Sequence, residues 1–147
     1  MWRFFLVVVI AGLFLVLFFG NDNCAYAGCK AYASCSADDD YGSNPLCQDG
    51  PYTPCNWIVK WYISFHRTMN TNGSTTLQYS LAGCNLLFNF DSQDYAAGQD
   101  HECWGYEDCE PSGTHTLRLL KNGQGGHFTD IFVSATYYAS KPEGGEE

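Results

Sequence analysis

The run WIVKWYISFHR, residues 57–67, puts Trp57, Val59, Trp61, Ile63 and Phe65 at alternate positions, with Lys60, Ser64 and His66 between them. A period of two over this length describes a half-buried β-strand, because successive side chains on an extended backbone point to opposite faces. It restricts the chain to folds in which a sheet has one face against a core. STTLQYSL repeats the pattern with Thr75, Leu77, Tyr79 and Leu81 on one side, and NLLFNFD with Leu86, Phe88 and Phe90. THTLRLL and HFTDIFVSATYYA supply two further strands. The second is apolar on both faces in places, with Ile131 and Val133 against Phe128 and Phe132, as a strand deep in a sandwich would be. Asn72-Gly73 between the first two runs is a hairpin signal. No segment after residue 20 carries a helical period. Strands, polar turns and aromatics together predict an all-β fold, an antiparallel β-sandwich or jelly roll, over residues 57–140.

The strands are preceded by two segments of other character. Residues 4–19 form an unbroken apolar run behind Arg3, and AYA at 25–27 supplies small residues for a cut after Ala27. This describes a secretory signal peptide over residues 1–27. The competing readings are an uncleaved membrane anchor and a bacterial lipoprotein acylated at Cys29, in AGC at 27–29. All three place the rest of the chain outside the cytosol, at the cell surface or beyond it, and signal cleavage would leave it with no membrane attachment. Residues 28–56 are rich in Cys, Asp, Gly and Pro and read as an irregular, disulfide-pinned arm; 141–147 read as a polar tail.

The cysteines are Cys24, Cys29, Cys35, Cys47, Cys55, Cys84, Cys103 and Cys109. In an exported small domain this density predicts a disulfide framework. Zinc would want short C-x-x-C pairs, and none is present. Cleavage after Ala27 removes Cys24 and leaves an odd number, which predicts a free thiol or a bond to another chain. Within CWGYEDC, the short gap from Cys103 to Cys109 invites a local bridge.

Net charge is −9, and Lys30, Lys60, Arg67, Arg118, Lys121 and Lys141 are scattered, without a stripe. This argues against nucleic acid, whose binding rests on phosphate neutralisation, and against anionic membrane surfaces. GTHTLRLLKNGQGGHFTDIFVSATY, residues 113–137, resembles the closing two strands of galactose-binding-like jelly rolls found in carbohydrate-binding modules. The resemblance covers a small part of the chain and implies a fold more than a ligand.

Candidate sites follow from residue type and spacing. Asn72-Gly73-Ser74 is an N-glycosylation sequon at the expected hairpin tip. Residues 91–110 carry many acids and no Lys or Arg, so Asp91, Asp94, Asp100 and Glu102 are candidate calcium ligands, against the plain reading of a solvated acidic loop. Trp57 and Trp61 share the apolar strand face and are expected in the core. Trp104 and Tyr106 sit in the acidic, Cys-bounded stretch, where a core role is harder to arrange; they are the candidate ligand-binding pair. A small secreted hydrolase could use two of His66, His101, His115 and His127 with a carboxylate, although His66 and His115 also read as surface strand residues. No G-x-S-x-G, H-E-x-x-H or P-loop is present. The expected function is that of a secreted or cell-surface structural or adhesion subunit, non-enzymatic, touching other protein subunits and joining copies of itself. The alternatives are a carbohydrate-binding module whose partners are glycans, and the hydrolase.

Overall fold

The computed structural model describes residues 28–39, 42, 44–69, 71–109 and 113–144. The apolar run, the expected cleavage site and Cys24 lie outside the described residues. The described residues form eight strands: β1 Tyr32–Asp39, β2 Cys47–Tyr52, β3 Ile58–Arg67, β4 Thr75–Ala82, β5 Leu86–Asp91, β6 Gln99–Asp108, β7 His115–Gly123 and β8 Phe128–Tyr138. A 3-10 turn, Ser92–Asp94, joins β5 to β6. Among the described residues, no helix is long and apolar enough to cross a membrane.

The strands form two four-stranded antiparallel sheets, ordered β1-β8-β3-β6 and β2-β7-β4-β5. The expected all-β fold is therefore present as two sheets. Alternation decides which side chains meet. Val59, Ile63 and Phe65 of β3 and Ile131, Val133, Ala135 and Tyr137 of β8 point inward from one sheet. Leu77, Tyr79 and Leu81 of β4 and Leu117 and Leu119 of β7 point inward from the other, and all are buried in one cluster. The two central strands of each sheet thus supply most of the core, as expected where both neighbours shield a strand from water.

Consecutive strands mostly lie in different sheets. Only β4 and β5 form a sequential hairpin, closed by Gly83, Cys84 and Asn85, with Asn85 in the left-handed region at φ 58°. The Asn72-Gly73 turn therefore does not close a hairpin: it carries the chain from β3 in one sheet to β4 in the other. The same holds for residues 124–127, between β7 and β8. Turn chemistry reports that the chain reverses, not which strand it then pairs with.

Residues 28–56 are not an irregular arm. They contribute β1 and β2, one to each sheet. Small residues disguise β1: its inward positions are Ala33, Cys35 and Ala37, paired against β8. The bridge Cys35–Cys47 links β1 to β2 across the sheets, and Cys29–Cys55 ties the chain before β1 to the β2–β3 connection. Beside them the Asp49 carboxylate of β2 accepts from Lys30 Nζ at 2.6 Å and from the Ser34 N–H of β1 at 3.1 Å. At the opposite margin Cys84–Cys109 fastens the β4–β5 turn to the chain leaving β6.

The local Cys103–Cys109 bridge does not form. Six residues of nearly extended chain separate the two by about 20 Å, far beyond a disulfide's reach. Among the described residues Cys103 is the free thiol left by the odd count.

Two buried polar arrangements complete the interior. His115, fully buried, has Nδ1 3.0 Å from the Tyr137 hydroxyl, which lies 2.8 Å from the Tyr52 hydroxyl. The surface role expected for His115 is therefore wrong: its ring belongs to the inward face of β7. Burial holds its pKa below the ordinary histidine value. The neutral ring is favoured in the folded state, so the unfolded chain takes the proton first as pH falls through about 6.5, and stability falls with it. Urea midpoints should drop between about pH 7.5 and about pH 5, and a His115→Gln variant should lose that part of the slope. Burial also raises Tyr52 to about 12, so stability falls again as pH rises above about 10, where the unfolded tyrosine ionises.

The second arrangement is Arg67, buried at the end of β3. Its Nε donates to the Ser92 carbonyl at 2.8 Å, and one terminal nitrogen donates to the carbonyls of Thr68 and His127 and to the Thr71 hydroxyl. Among the described residues no carboxylate forms an ion pair with it. The guanidinium instead gathers backbone from three connections.

Candidate binding margin on the edge strand

The acidic stretch that holds Trp104 and Tyr106 is strand β6, an edge of the β1-β8-β3-β6 sheet. Its register against β3 pairs Lys60 with Tyr106, Tyr62 with Trp104, Ser64 with Glu102 and His66 with Asp100. These positions lie on the face opposite the core, because the intervening residues of β3 are the buried ones. Neighbouring β8 adds Tyr138 beside Ile58.

The result is a patch of rings with two ammonium groups against it. Lys60 Nζ stands 4.7 Å from the Trp104 ring centre and 5.7 Å from that of Tyr106; Lys141 Nζ stands 5.8 Å from Tyr106. Trp104 meets Tyr106 edge-on at 6.0 Å, and Tyr106 meets Tyr138 at 6.1 Å. Cation–π and edge-to-face contacts of this kind hold rings in place, each by about 1 kcal/mol. Trp104 nevertheless keeps 40% of its surface exposed. The sequence-expected pair is therefore brought together on a sheet face, not in the loop expected for it.

Trp61 and Trp57, expected together in the core, part company. Trp61 points inward and stacks on Phe88 of β5 at 4.2 Å. Trp57 precedes the first paired residue of β3 and is 59% exposed. The alternating pattern ran one residue beyond the strand. Gly105 is what lets the Trp61 indole lie against β6: a Cβ there would stand 2.8 Å from Nε1 and 3.0 Å from Cε2. Gly105→Ala should push the indole off Phe88 and cost about 1–3 kcal/mol, read as a lower urea midpoint with altered tryptophan emission.

Three open depressions follow this margin. One of about 580 Å³ is bordered by Trp61, Trp104, Tyr106, Glu107 and Lys141. One of about 510 Å³ is bordered by Trp57, Ile58, Asp108, Ala139 and Lys141. A smaller one of about 180 Å³ lies between them, against Ile58, Tyr106, Asp108 and Lys141.

The remaining candidate residues fall elsewhere. Asp91 Oδ1 accepts from the Gln93 N–H at 2.9 Å, capping the 3-10 turn; Asp100 lies 2.7 Å from His66 Nδ1; Glu102 accepts from the Tyr62 hydroxyl at 3.1 Å; Asp94 is exposed. The four do not converge on a calcium site, and among the described residues no group of three His, Cys, Asp or Glu is placed to hold a metal. The extended β6 backbone separates acids that a loop could have gathered. Asn72 is exposed, beside Gly73 at φ 86°.

Of the histidines, His66 and His101 border a shallow depression of about 330 Å³ with Asp100, Ser64 and Asp130. His101 is bonded to the Ala96 carbonyl, while His115 and His127 are fully buried. His66 and His101 are thus brought together beside carboxylates, with His101 turned to the Ala96 carbonyl and the rings of Phe65 and Tyr95; the buried His115 and His127 do not border this depression. Comparison with protein-family models, curated proteins and solved structures finds no match for this chain.

Proposed function

We propose that this chain is an exported jelly-roll domain that binds carbohydrate, without turnover, through the aromatic margin of β6. The strand pairings β1–β8, β2–β7, β3–β6 and β4–β5 support the jelly-roll reading. They are those of one long antiparallel ribbon, folded at β4–β5 and rolled so that successive pairs alternate between sheets. Three disulfides support export, since such bridges persist in oxidising compartments. Exposure of Asn72 makes it available for glycosylation there.

The observation that carries the binding reading is the ring patch. Trp104, Tyr106 and Tyr138 are fixed by one another and by Lys60, while Trp104 stays half open to solvent. A planar ring with polar neighbours suits a sugar, which offers one apolar C–H face and a rim of hydroxyls. A glycan array probed with the wild type and with Trp104→Ala tests the reading. Binding to a defined glycan, weakened about tenfold or more by the substitution, is expected. Silence on every glycan would dismiss it.

A second reading, a structural subunit that joins copies of itself, draws on the ten-residue β6 edge. An unpaired strand edge can accept another strand. Light scattering with and without reductant separates the two: a monomer in both conditions removes the second reading.

A further inference from the structure

We infer, resting on the carbohydrate reading above, that the ligand is a linear, uncharged oligosaccharide that spans from Trp104 to Trp57, a residue that sequence periodicity had assigned to the core. The three depressions along the margin share bordering residues. Lys141 borders all of them, and Tyr106 and Glu107 border two. They run along β6 from Trp104 to Asp108, four residues or about 13 Å of strand. At the far end stands Trp57, whose carbonyl accepts from the Cys109 N–H. Two open indoles therefore cap a shallow groove longer than a single sugar ring.

Between the indoles the groove changes character. Glu107, Asp108 and Lys141 replace rings with charged groups, and Glu107, Asp108 and Lys141 are all exposed to solvent. Carboxylates only accept hydrogen bonds and an ammonium only donates. A sugar's hydroxyls can satisfy both kinds. An apolar peptide side chain lying there would desolvate them without return, at a cost of several-fold in affinity for each group.

Charge narrows the class further. Glu102, Glu107 and Asp108 outnumber Lys60 and Lys141 around the groove, and the protein carries −9 overall, so uronic and sialic acids meet net repulsion. A cationic ligand finds the Trp104 and Tyr106 rings already approached by Lys60. A neutral chain is what remains.

Isothermal titration with neutral oligosaccharides of graded length, from monosaccharide to hexasaccharide in the gluco-, manno- and chito- series, tests this. The wild type, Trp57→Ala, Trp104→Ala and the ring-retaining Trp57→Tyr and Trp104→Tyr are compared, with near-ultraviolet circular dichroism to check each fold. Affinity should rise with length and then level off. Trp57→Ala should cost about tenfold on the longer ligands and nothing on the shortest, Trp104→Ala about tenfold on all, and the tyrosine variants should recover part. If Trp57→Ala leaves long-chain affinity unchanged, or if acidic sugars bind more tightly than neutral ones, the inference is overturned while the Trp104 reading survives. If no sugar binds the wild type, both fall.

Discussion

Reduction of the three described disulfides is expected to unfold the domain. They join residues 26, 12 and 25 apart in sequence. Closing loops of that size restricts the unfolded chain by about 3 kcal/mol each, roughly 9 kcal/mol together. A small domain holds only about 5–15 kcal/mol in total, so the loss is of the order of its whole stability. Placement reinforces the effect. Cys35–Cys47 and Cys84–Cys109 fasten the two sheets at opposite margins, and at the first of these the edge strands β1 and β2 bury little apolar surface of their own. Urea titration with and without reductant reads this directly. A reduced midpoint within about 0.5 M of the oxidised one would show that the core alone suffices. The double variant Cys84→Ala, Cys109→Ala should by itself lose about 3 kcal/mol.

Arg67→Met is expected to cost about 3–5 kcal/mol. The guanidinium is buried, and it donates to the carbonyls of Ser92, Thr68 and His127 and to the Thr71 hydroxyl. Methionine fills a similar volume, so the loss isolates the hydrogen bonds. Bonds from a charged donor contribute about 1.5–3 kcal/mol each, and the abandoned carbonyls stay buried. Arg67→Lys should recover only part, because an ammonium cannot reach several acceptors in the fork geometry of a guanidinium. Chemical denaturation of the three proteins ranks them. Equal midpoints for Arg67→Met and wild type would mean that water replaces the lost donors.

The same residues show which features the sequence could and could not reveal. Strands β3, β4, β5, β7 and β8 were readable from alternation, because four of them are central and bury one full row of large side chains. The strands that escaped, β1, β2 and β6, are all edges. Edge strands carry fewer large apolar groups and often bear charge that discourages further pairing. β1 hides behind Ala33, Cys35 and Ala37, and β6 behind Asp100, Glu102, Glu107 and Asp108. Trp104 and Tyr106 could be singled out as rings lacking a core partner. Their support by Lys60, Lys141 and Tyr138 could not, since those residues come from other parts of the chain.

By itself, the sequence determined what is local or additive: an all-β chain, rich in bridges, with an acidic surface and an aromatic pair outside the alternating pattern. Tertiary structure alone decided the pairings. Alternation says which way each side chain points but is indifferent to the neighbouring strand, and a cysteine's spacing says nothing of its partner. Loop closure and burial across both sheets made those choices: Cys84 with Cys109 and not Cys103 with Cys109, β3 beside β6 and β8 and not β4, Trp57 in solvent and Trp61 inside.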